Sequence, residues 1–170
     1  MAKLVKLNLL SLFSLIAFLL LNYYFVSMIA DNQISILSRD MEDLKSVLND
    51  ISHENFVLIV TIISTITTTF GLLIQYLIGK FLLVIFASEI KSYLFHALIP
   101  KIFIVIINLF FIGVYQIHNN WLYLSTALIG SILILFFFQY QKKNWKASLL
   151  FSSAFIIDAL ISLGRLMFSM

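Results

Sequence analysis

The sequence predicts an all-α fold, a polytopic transmembrane helix bundle of about five spanning helices, with an external amphipathic helix and a cytoplasmic-side interfacial helix added to it. Three observations predict it. Hydrophobic residues make up 62% of the chain and charged residues 11%, which leaves too little polar surface to cover the apolar atoms of a soluble domain. Apolar runs of the roughly 20 residues a helix needs to cross a bilayer recur between short polar segments. Lysines gather in alternate polar segments, the asymmetry that marks cytoplasmic loops. The 170 residues then read as a single membrane domain, with no room for a soluble catalytic unit.

The first crossing is placed at 1–30. Lys3 and Lys6 precede an uncharged run that is longer than the apolar core of an ordinary secretory signal, and no small-x-small cleavage site stands before Asp31. The segment is expected to be an uncleaved signal anchor.

Residues 31–54 carry six of the eight acidic residues of the chain, Asp31, Asp40, Glu42, Asp43, Asp50 and Glu54, against Arg39 and Lys45. Ile34, Leu37, Met41, Leu44, Leu48 and Ile51 follow one another at alternating spacings of 3 and 4. That is a heptad seam. It predicts an extracytoplasmic amphipathic helix whose narrow apolar stripe must be covered, either by a partner docking on Leu37, Met41, Leu44, Leu48 and Ile51 or by the chain's own bundle. The acids match no EF-hand spacing.

The second crossing is placed at 55–79. Its stretch "TIISTITTTFG" sets Thr61, Thr65 and Thr69 on one helical face, with Ser64, Thr68 and Gly71 as a neighbouring ridge of small residues. Small and hydroxylated residues let helix backbones approach and bond across the contact. Close packing and a polar permeation path both fit that face.

Residues 80–99 contain Glu89, Lys91 and His96. Carrying them across the bilayer would place Glu89 and Lys91 near its centre, at roughly 2.5 to 3.5 kcal/mol each, and would move Lys142, Lys143 and Lys146 to the outside. From Glu89 on, Ile90, Tyr93, Leu94, Ala97 and Leu98 fall opposite Glu89, Ser92 and His96. The segment is therefore expected to form a cytoplasmic-side amphipathic helix with Glu89, Lys91 and His96 at the interface. Pro100 then suits the first position of the third crossing, 100–117.

"QIHNNW" marks a turn with interfacial Tyr115 and Trp121 beside it, and the fourth crossing, 121–138, closes on Lys142, Lys143 and Lys146. The fifth crossing, 147–170, carries Asp158 near its middle, with Ser162 and Arg165 further along the same face. An ionisable residue at that depth faces a bundle interior, a water-filled cavity or a partner. The resulting topology is multi-pass in the cell membrane, amino terminus cytoplasmic and carboxyl terminus extracytoplasmic.

A long first loop, a second helix running into an amphipathic segment, "LFHALIPKIFIVIINLFFIG" with its proline at a helix start, and a final helix pair split by a short basic turn together resemble the Yip1-domain membrane proteins. The "YGP"-type signature of eukaryotic members is absent, so the resemblance carries no Rab GTPase binding over. Bacterial relatives are similar to accessories of ABC exporters or of resistance to membrane-active peptides, which is what the resemblance implies. Nine lysines against two arginines, with abundant Ile, Phe and Asn, resemble the usage of a bacterium with an AT-rich genome.

The function classes narrow by chemistry. The net charge of +3 is scattered between apolar runs rather than aligned in a stripe, against nucleic-acid binding. With no cysteine, disulfides, thiolate metal sites and an AgrB-like peptidase are excluded. HExxH and the paired glutamates of CAAX-type membrane proteases are absent, and "IGSI" at Ser131 lacks the second glycine of a rhomboid-type nucleophile. A non-enzymatic subunit or accessory is expected, without cofactor or metal. Its partners would be the lipid bilayer and another membrane protein, such as an ABC-type transporter or exporter, or a second copy in a homo-oligomer. The alternative is a small transporter or channel-like protein using Asp158 and the threonine face of Thr61, Thr65 and Thr69.

Overall fold

A computed structural model describes residues 2–40 and 52–168. They form five α-helices and, among the described residues, no strand: α1 Ala2–Asp40, α2 His53–Phe86, α3 Phe95–Tyr115, α4 Asn120–Lys142 and α5 Trp145–Phe168. All five are long and apolar enough to cross a membrane. Their lipid-type surface is evident in exposed side chains such as Phe13, Leu20, Ile66, Phe70 and Phe81, which a soluble protein would cover.

Successive helices run in opposite directions and close into a ring in the order α1, α2, α5, α4, α3, back to α1. The α1 and α3 neighbours are parallel, the others antiparallel. One end of the ring carries Lys6, Lys80, Lys91, Lys142, Lys143 and Lys146. The other carries Asp31 and Glu54, and there Nε2 of His53 meets the Asp31 carboxylate at 3.0 Å, tying the start of α2 to α1. The centre is filled rather than hollow: Phe18, Leu72, Leu83, Phe138, Phe151 and Phe155 are all buried in it.

Each helix end has a local cause. Ser52 caps α2 by accepting from the amide of Asn55 at 3.4 Å, and Asn119 caps α4 by accepting from Trp121 at 2.9 Å. The last turns of α3 and α4 close on Gln116 and Lys143 in the left-handed region, at φ 53° and 51°. Their amides return to the carbonyls of Ile112 and Gln139, satisfying C-terminal acceptors that would otherwise lie bare.

The structure differs from the sequence expectation around the first loop and the 80–99 segment. Helix α1 does not stop at residue 30 but continues unbroken to Asp40. The side chain of Leu37, and all of Met41, Leu44, Leu48 and Ile51, lie outside what the structure describes. The amphipathic helix expected over 80–99 divides instead: α2 keeps residues up to Phe86, 87–94 run without regular structure, and α3 starts at Phe95. Pro100 is therefore inside α3 rather than at its first position. The reason lies in His96, whose Nδ1 is 2.9 Å from both the amide nitrogen and the carbonyl oxygen of Tyr93. That contact fixes the chain reversal, and the carbonyl of Leu94 receives the amides of Ala97 and Leu98 at 3.0 and 3.1 Å, which sets the first turn. Pro100 has no N–H for the carbonyl of His96 and so removes one helical rung near the start of α3.

Candidate functional site

Two layers divide the interior. Towards the lysine end it is aromatic and tightly packed. Phe138 and Phe151 stack with centroids 4.5 Å apart, and His96 stacks on Phe95 at 4.2 Å while meeting Phe138 edge-on at 5.1 Å. Gly79 lets α2 lie directly on α5 here, because a Cβ at this position would run into the carbonyl oxygen of Phe151. His96 is fully buried, so it is corrected from an interfacial residue to a core one. Glu89 and Lys91, by contrast, are exposed on the irregular segment.

Beyond that layer the interior turns polar. Gln75 of α2 donates from Nε2 to Oδ2 of Asp158 on α5 at 2.8 Å. Asp158 follows Phe151 by two turns on the protein-facing side of α5, the side that also buries Ala147 and Phe155. It is exposed all the same. Lys101 belongs to the buried stripe of α3 that includes Ile104, Val105, Asn108 and Ile112. It is half-buried, six residues into the helix.

Hydrogen bonds between helices continue this polar layer. Asn22 of α1 donates to the Thr68 hydroxyl at 2.7 Å, and Thr126 of α4 donates to Oδ1 of Asn108 at 2.9 Å. Thr61, Thr65 and Thr69 are buried on the inner face of α2, as their spacing predicts. Thr69 donates to the carbonyl of Thr65 at 2.7 Å, whereas the hydroxyls of Thr61 and Thr65 are buried without a hydrogen-bond partner. Such groups destabilise by a few kcal/mol in hydrocarbon and are seldom kept without a use. Ser162 is half-buried and Arg165 exposed further along α5. Ser131, fully buried, donates to the carbonyls of Ala127 and Phe155, so its hydroxyl serves helix packing.

Of the residues singled out in the sequence, the three threonines are buried together on α2, and Asp158 reaches α2 through Gln75. Arg165 and Ser162 lie beyond them. Sequence reasoning missed Lys101 and Gln75. The signal for Lys101 was its place one helical repeat of seven before Asn108, on the same stripe as Ile104 and Val105. Gln75 was visible as an amide in an otherwise apolar stretch between Leu72 and Gly79. Neither protein-family models, nor curated proteins, nor solved structures give any match to the chain, and nothing among them bears on the Yip1-domain resemblance.

Proposed function

We propose that the protein is a small, non-enzymatic transport protein of the cell membrane, with Lys101, Asp158 and Gln75 as the central site for a proton or small inorganic ion. The observation that supports this reading is the Gln75–Asp158 hydrogen bond between α2 and α5, with Lys101 a further charge within the apolar helix α3. Charges inside a membrane bundle are expensive and concentrate on ion and proton pathways. The threonines of α2 supply hydroxyl oxygens between this site and the acidic end, and the aromatic layer around Phe151 closes the lysine end. Access from the lysine end then requires α2 and α5 to part where Gly79 lies on Phe151. The lysine end is cytoplasmic by its charge, which sets the amino terminus inside and the far end of α5 outside.

The test is proton flux into liposomes loaded with a pH-sensitive dye and containing the purified chain, under an imposed pH gradient. The wild type should equilibrate faster than protein-free liposomes, with Asp158→Asn and Lys101→Gln each slowing it to near the empty control. Flux equal to the empty control for the wild type, for protons and for potassium or sodium tested alike, would overturn the reading.

A second reading is favoured by the continuation of α1 as helix through Asp40, into the segment whose sequence carries the heptad seam. In it, the stripe from Leu37 to Ile51 docks on a membrane partner such as an ABC-type exporter, in export of or protection against membrane-active peptides. Co-purification of a stoichiometric partner from native membranes would favour this reading over transport.

A further inference from the structure

At the lysine end, well away from Asp158, the irregular segment 87–94 leaves a groove of about 510 Å³ against α1 and the last turns of α2. Its polar lining comes from Asn8, Ser11, Lys80, Ser88, Lys91 and Ser92, and no carboxylate lines it. Lys80 and Lys91 are both exposed and line the groove from different walls, one on α2 and one on the irregular segment. Glu89 lies on the same segment but is not part of the lining. The hydroxyl of Ser92 is buried here without a hydrogen-bond partner, although its carbonyl receives the Tyr76 hydroxyl at 3.5 Å. Two cations, several hydroxyl and amide donors and no anion describe a site for an anion with several acceptor oxygens.

The apolar surroundings narrow the choice. Leu77, Phe81 and Val84 follow one another at helical spacings of four and three and are all exposed. They form a strip on α2 that leads from the groove towards the middle of the membrane. A headgroup phosphate held in the groove would have its acyl chain laid on this strip. Basic pockets between helices at the cytoplasmic surface suit such headgroups.

We infer that the groove lined by Lys80, Lys91, Ser88 and Ser92 binds a phosphate-bearing anion, the headgroup of an anionic phospholipid being the occupant that the adjoining apolar strip fits. Lys80 and Lys91 neutralise the phosphate, and the serine hydroxyls donate to its oxygens. The site is separate from Asp158 and Gln75 and stands whether or not the protein transports ions.

The experiment measures the thermal unfolding midpoint of the purified full chain in neutral detergent during titration with phosphatidylglycerol, phosphatidylcholine or inorganic phosphate. Phosphatidylglycerol should raise the midpoint, phosphatidylcholine much less. The double variant Lys80→Gln/Lys91→Gln should require roughly 25-fold more phosphatidylglycerol for the same shift, following the typical contribution of a lysine at an anionic surface. Lys143→Gln/Lys146→Gln, outside the groove, should respond like the wild type. Because Lys80 and Lys91 are exposed, their substitution leaves the core intact. Ser92→Ala, a smaller change, should weaken the response in the same direction. A shift produced equally by inorganic phosphate, and lost in the Lys80→Gln/Lys91→Gln variant, would keep the anion site and assign it a soluble occupant. No shift with either anion, or an equal shift in the wild type and the Lys80→Gln/Lys91→Gln variant, would overturn the inference.

Discussion

Gly79→Ala is the smallest change that should separate two helices of this bundle. A methyl group at residue 79 meets the backbone of Phe151, with the carbonyl oxygen nearest and the carbonyl carbon and one ring carbon each at 3.3 Å. Backbone cannot rotate aside as a side chain would, so α2 and α5 must move apart. Overpacking of this kind destabilises by about 1 to 3 kcal/mol, while the exchange of glycine for alanine in a helix returns up to about 1 kcal/mol. The displaced residue is Phe151, which stacks on Phe138, and one turn of α2 away Gln75 holds Asp158. Both should loosen. The control is Gly71→Ala on the same helix, where an added Cβ meets nothing within 4 Å. Unfolding midpoints in detergent, read by helix circular dichroism, should fall for Gly79→Ala and stay level or rise for Gly71→Ala. Equal midpoints for the two variants would refute the packing argument, because the helix-propensity term is common to both and only the contact with Phe151 differs.

Thr126→Val should lower the unfolding midpoint modestly, by about 0.6 to 1.7 kcal/mol, since it leaves the buried Asn108 Oδ1 without the Thr126 hydroxyl; Asn108→Leu combined with Thr126→Val should recover most of that loss. Cysteines introduced at Ser46 and Asn119 should react with an impermeant external reagent while one at Asn144 should not, and external labelling at Asn144 would reverse the proposed orientation. Changing Leu44 and Leu48 together to Ser should weaken any partner co-purification or self-association but leave membrane insertion intact, whereas Asp43→Ser, off the seam, should do little.

Five crossings were legible in the sequence because length and hydropathy are all a spanning helix requires, and the threonine face was legible because its spacing is helical. The inner end of the third crossing was not. Pro100 fits the first turn of a helix as readily as a position inside one, and the decision between them rests on His96, the second residue of α3, whose role depends on a tertiary contact with Phe138 and Phe151. Moving the helix start from residue 100 to Phe95 also moves Lys101. Read as the first residues of a crossing it is a flanking lysine at the surface; carried one and a half turns inward it becomes a half-buried charge within the helix. Asp158 could be recognised by depth alone, but its bond to Gln75 could not, because it depends on which helices are neighbours in the ring. That order, with α5 between α2 and α4, leaves no trace in hydropathy.

The ring order also has a consequence for biogenesis. Gln75 leaves the ribosome 83 residues before its partner Asp158, which at roughly 5 to 20 residues per second is a delay of about 4 to 17 s. During that interval α1 to α4 can already pair with one another, but the seat of α5 against α2 is vacant and Gln75 lacks its partner on α5. A nascent chain in this state should be more open to membrane-integrated proteases. A chain cut before Trp145 should accordingly disappear faster in pulse-chase experiments than the same truncated chain carrying Gln75→Leu. Slower elongation through the α4–α5 turn should prolong that open state.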